Sequence, residues 1–141
     1  MQPLLLQLGS AAVLMVLMAL IHGAGVAAIA HWLGLDRERP KVRRLHPRTV
    51  AILSSVALLL FMLHMVEIAL FAWFYLAAGA AGSFEQALFN SASAYSTLGQ
   101  PDASFPLEWR LLGALEGLIG FLLLGWSTAF FVTDMNRLLR E

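Results

Sequence analysis

The sequence predicts an all-α integral membrane protein. Three helices cross the membrane, and a short re-entrant helix and loop lie between the second and third. Three observations carry this fold class. Of 141 residues, 60% are hydrophobic and 13% are charged, against about 45–50% and about 25% in soluble domains. Three apolar stretches reach the roughly 20 residues needed to cross a bilayer. A fourth helical stretch, between the last two of these, is too short and too polar to cross. The formal net charge is zero and cysteine is absent. Disulfides, thiolate metal sites and cysteine nucleophiles are therefore excluded. No basic patch with interleaved aromatics is present, so nucleic acid is not an expected partner.

The first crossing segment runs from about Leu4 to Leu35 and makes up region 1–35. No basic residue precedes it, and its apolar run is too long for the core of a signal peptide. It is therefore read as a retained helix. Region 36–49 is a charged connection with Pro40 and Pro47. It carries Arg37, Arg39, Lys41, Arg43, Arg44 and Arg48. By the positive-inside rule this loop is cytoplasmic. The N-terminus and the loop after the second crossing are then outside. The C-terminus, with Arg137 and Arg140, is inside. The expected location is the cell's inner (plasma) membrane, with lipids as partners. The basic cluster reads as a topology and headgroup anchor. A regulatory lipid site is the alternative.

The last region, 50–141, opens with a crossing segment from about Val50 to Ala81. Pro47 and Thr49 suit its N-terminus. At 1.5 Å rise per residue it exceeds a hydrocarbon core of about 30 Å, so it must tilt or project. Trp73, Phe74 and Tyr75 fall where an interfacial aromatic belt is expected. Gly79, Gly82 and Ser83 break the helix. Ser83 reads as the N-cap of a helix ending near Ser96, with Glu85 in its first turn. The polar turn Ser96-Thr97-Leu98-Gly99-Gln100-Pro101-Asp102 follows. Non-helical backbone at membrane depth is tolerated only where protein buries it or water reaches it. Glu108, Trp109 and Arg110 mark the outer interface, and the third crossing runs from about Leu111 to Thr133.

The order is helix, short helix, Thr-x-Gly turn, helix. It resembles the pore module of potassium channels, in particular small bacterial two-transmembrane channels, here with one extra N-terminal helix. The supporting stretches are His64-Met65-Val66-Glu67-Ile68, Phe71-Ala72-Trp73-Phe74-Tyr75 and Tyr95-Ser96-Thr97-Leu98-Gly99. Trp109 to Gly117 adds to them. The resemblance covers about residues 50–140. It implies a homotetramer whose filter loops offer carbonyl oxygens to K⁺ or Na⁺. No other cofactor, no other metal and no enzymatic activity are implied. Thr97, Leu98 and Gly99 correspond to the inner filter, and Asp102 to the acid behind it. Glu116, Gly117, Gly120 and Thr128 correspond to cavity or gating positions. For Gly117 and Gly120, close helix packing is the competing reading. Trp126-Ser127-Thr128 reads as packing or as lower-cavity lining.

Gln100 and Pro101 depart from the family, which has an aromatic followed by Gly. Gly is used there because the backbone enters positive φ. Proline fixes φ near −65° and lacks an N–H. The expected function is a cation channel with an altered filter and weak preference for K⁺ over Na⁺. The alternative is a non-conducting interaction or regulatory subunit with the same fold.

Ionisable residues within apolar segments are costly and call for a functional hypothesis. Four stand out: His22, His64, Glu67 and Glu116. They read as groups that hydrogen-bond between helices or brace the back of the filter. A metal or proton site is the sharper alternative, and a cavity-facing Glu116 is another.

Overall fold

The computed structural model describes residues 2–35, 47–99 and 105–139. Among these the regular elements are all helices. Helix α1 spans Gln2–Trp32, α2 Pro47–Ala77, α3 Phe84–Tyr95 and α4 Arg110–Leu139, with a single 3-10 turn at Leu107–Trp109 before α4. Three of these, α1, α2 and α4, are long and apolar enough to cross a membrane. Helix α3 is a 12-residue piece packed between α2 and α4, and α1 packs on α4 and α2. Most of the basic loop (36–46) lies outside the described residues, as does Arg140.

The helix boundaries follow from local chemistry. Ser83 is extended (φ −148°) and its hydroxyl accepts a hydrogen bond from the Gln86 N–H, which makes it the N-cap of α3. Helix α1 ends with the Gly34 N–H on His31 O and the Leu35 N–H on Ala30 O. Helix α2 ends the same way, with Gly79 on Leu76 O and Ala80 on Tyr75 O. Both are Schellman closures with glycine at the left-handed position, at φ +60° for Gly34 and +69° for Gly79. The N-terminus of α4 is capped from a distance. The buried Gln7 side chain of α1 accepts the N–H groups of Leu111 and Leu112, at 3.1 and 3.2 Å.

Each long helix buries one stripe, at spacings of three and four. On α1 it includes Ala11, Leu14, Met18, His22, Val26 and Ile29. On α2 it includes Val56, Leu60, His64, Glu67, Phe71 and Tyr75. On α4 it is Leu112, Glu116, Ile119, Leu123 and Ser127. The opposite faces are apolar and exposed, as suits lipid contact. His22, His64, Glu67, Glu116 and Ser127 lie inside, where side chains of other helices satisfy them. At one end of the bundle, Trp73 stacks near Phe84 (5.1 Å between ring centroids) and Phe74 meets Trp109 edge-on (5.5 Å).

Candidate functional site

The turn after α3 repeats the closure of α1 and α2 with one change. The Thr97 N–H reaches Ala94 O (2.9 Å) and the Leu98 N–H reaches Ser93 O (3.0 Å). The left-handed position is held by threonine, at φ +63°, the one non-glycine with positive φ among the described residues. A β-branched side chain there is a true outlier, at a cost of about 1–2 kcal/mol. Two sister closures use glycine, so the fold does not demand threonine. Strain kept at one exposed turn points to a use for the side chain or for the backbone it aims. Leu98 is 85% exposed and Gly99 has φ +90°. Gln100, Pro101 and Asp102 lie outside the described residues. Thr97→Gly is expected to raise stability by about 0.5–1 kcal/mol, since relief of strain outweighs the added freedom of the unfolded chain. Denaturation in detergent micelles measures it. A loss of stability would mean that the threonine side chain holds more than its backbone costs.

Thr97 and Gly99 open onto a cleft of about 560 Å³ whose α4 wall includes Arg110, Gly113, Gly117 and Phe121. Thr128 lies further along α4 on the same side by helical spacing. It is exposed, and its hydroxyl donates to Leu124 O at 2.8 Å. Gly117 and Gly120 seat the end of α3. A Cβ at Gly117 would stand 3.0 Å from Ala94 O, and one at Gly120 would collide with the Tyr95 carbonyl. Both glycines are used for close packing in this structure.

Behind the turn lie two buried polar clusters. In the first, Tyr75 donates to Glu116 Oε2 at 2.5 Å. Ser91 Oγ lies 2.6 Å from Glu116 Oε1 and 2.9 Å from Ile68 O. This corrects two expectations. Glu116 does not face the cleft: it is fully buried, because two hydroxyls from α2 and α3 replace water around its carboxyl group. Tyr75 is not part of an interfacial belt: its ring is buried against Phe105 and its hydroxyl is spent on Glu116.

The second cluster unites all four helices. His22 Nδ1 lies 2.9 Å from Glu67 Oε1, and His64 Nδ1 lies 3.1 Å from Glu67 Oε2. Tyr95 donates to Glu67 Oε2 and lies 2.9 Å from His64 Nδ1. Ser127 Oγ bridges His64 Nε2 at 3.0 Å and His22 Nε2 at 3.3 Å. Trp126 covers His22, ring centroids 5.2 Å apart. Ser127 thus turns inward and Thr128 outward, while Trp126 touches His22 from a half-exposed position. His22, His64 and Glu67 bring three possible ligand atoms within 4.8 Å of one another. Their 2.9 and 3.1 Å separations are hydrogen-bond lengths. In this structure they hold a hydrogen-bonded cluster between helices, one of the arrangements expected of these residues.

Sequence reading named the acids and histidines but missed Tyr75, Ser91, Tyr95 and Ser127 as their partners. A signal was present for Ser127, which follows Glu116 by eleven residues, three helical turns on the same face. No family model matches the chain, and no curated protein or solved structure matches it.

Proposed function

We propose that this chain is the pore-forming subunit of a cation channel of potassium-channel-like architecture. Four copies surround one axis, α3 is the re-entrant pore helix, and Thr97, Leu98 and Gly99 form the inner filter. The observation that carries the reading is Thr97. It is a left-handed threonine at the end of a short polar helix, exposed beside an open cleft. The end of a helix favours a cation through its dipole. Threonine adds a hydroxyl to the carbonyls that replace an ion's hydration shell. Exposed Leu98 suits contact with a neighbouring copy.

Pro101 limits the filter to its inner half, so selectivity is weak. The test is purified protein in liposomes under a K⁺ or a Na⁺ gradient. Both cations are expected to move, at similar rates. Strong K⁺ preference would overturn the filter assignment. Absence of flux for both would favour the second reading, a non-conducting subunit that assembles with another membrane protein. Pro101 is the observation that favours that reading.

A further inference from the structure

The second polar cluster closes a ring. Its four contacts join Glu67 to His22, His22 to Ser127, Ser127 to His64, and His64 back to Glu67. Each contact needs one hydrogen. With Glu67 ionised and both imidazoles neutral, His22, His64 and Ser127 bring three hydrogens to these four contacts. Tyr95 approaches from outside the ring and gives its one hydrogen to Glu67 Oε2, so it adds none to the four ring contacts. One acceptor therefore always faces another acceptor. The ring is also a net negative charge, fully buried at His22 and Glu67, where an unbalanced charge is costly.

We propose that this ring is a proton-binding site: it holds one proton beyond a carboxylate and two neutral imidazoles. That proton supplies the fourth hydrogen and cancels the charge. The other ring edges stay as they are, because hydrogen-bond lengths already separate the atoms. Among the described residues, the titratable groups facing the ring are His22 from α1, His64 and Glu67 from α2, and Tyr95 from α3. The nearest α4 acid, Glu116, is engaged by Tyr75 and Ser91. The ring also gives α1 a role, since His22 supplies one corner. Tyr95 is the last residue of α3 and stands two residues before Thr97. Loss of the proton therefore loosens the brace behind the turn. That consequence for conduction rests on the channel reading; the proton site does not.

The experiment is an NMR pH titration of the full chain in nanodiscs, with labelled histidine and glutamate. Near pH 7 one extra proton is expected on the ring, seen as an imidazolium or a protonated Glu67. It leaves on alkalinisation with all ring signals changing together, as coupled groups do. In Glu67→Gln the amide N–H supplies the missing hydrogen, so both imidazoles are expected to be neutral near pH 7. Ser127→Ala leaves two contacts for two imidazole hydrogens, and proton affinity is expected to fall about tenfold or more. It also keeps the question open to test where Glu67→Gln does not fold. Two neutral imidazoles with an ionised Glu67 in the native chain would overturn the proposal. So would an imidazolium that persists in Glu67→Gln, or an unchanged affinity in Ser127→Ala. None of these readouts depends on ion flux.

Discussion

Gly120→Ala is expected to destabilise the chain by about 3 kcal/mol or more, at the upper end of the cost of overpacking. A Cβ at this position meets the Tyr95 carbonyl oxygen, and lies 2.9 Å from both the Tyr95 carbonyl carbon and its Cγ. Backbone cannot yield as a side-chain tip can. Gly25 provides the contrast, since a Cβ there meets only the end of Leu63, at 2.6 and 2.7 Å. Gly125 has nothing within 4 Å of its added Cβ. Alanine is a better helix former than glycine by about 1 kcal/mol. That gain wins at Gly125 and is overwhelmed at Gly120. Gly125→Ala should therefore be neutral or stabilising, and Gly25→Ala should cost little. Denaturation of the three variants in detergent micelles decides the order. Equal stability of Gly120→Ala and Gly125→Ala would mean that α3 does not rest on α4 here. The same substitution pushes the end of α3 outward, so it should also disturb the turn at Thr97.

The helices were legible because bilayer thickness sets their length and the breaks are written in Gly79, Gly82 and Ser83. Which way each helix faces was much less legible. The apolar residues of α1 and α2 are spread over every side, and lipid is no more apolar than a helix interface, so hydrophobicity alone cannot mark the buried stripe. Only polar residues mark it. His22, His64, Glu67 and Glu116 did so because a charge in hydrocarbon demands a partner. Their partners were hidden by ambiguity of residue type. Tyr75 reads equally as an interfacial aromatic, and Ser91 and Ser127 read equally as small residues for close packing. Glu116 was open to a cavity reading because the sequence does not set the rotation of α4, and its neighbours Gly117 and Leu118 do line the cleft. One helical position of rotation separates the two environments. The strain at Thr97 had no signal in the sequence at all. It follows from a tertiary choice to close α3 as α1 and α2 are closed, without the glycine.

Under the proposed function, the double substitution Gln100→Tyr and Pro101→Gly is expected to raise preference for K⁺ over Na⁺ by about tenfold or more, equivalent to about 1.4 kcal/mol. The inner turn already takes positive φ at Thr97 and Gly99. For carbonyls to continue lining the axis beyond Gly99, the backbone must go on alternating. Proline prevents this in two ways. Its ring holds φ near −65°, and it pushes Gln100 toward extended backbone. Glycine at 101 removes both constraints but leaves the loop unbraced. Tyrosine at 100 supplies an aromatic ring to pack behind the filter, yet does nothing while proline fixes the next residue. The two changes should therefore be strongly non-additive. Pro101→Gly alone should give a small gain, Gln100→Tyr alone none, and the pair the full effect. Flux ratios in liposomes, with K⁺ and Na⁺ gradients run in parallel, measure all three. An unchanged ratio in the double variant, in protein that still conducts, would place the determinant of selectivity somewhere other than residues 100 and 101.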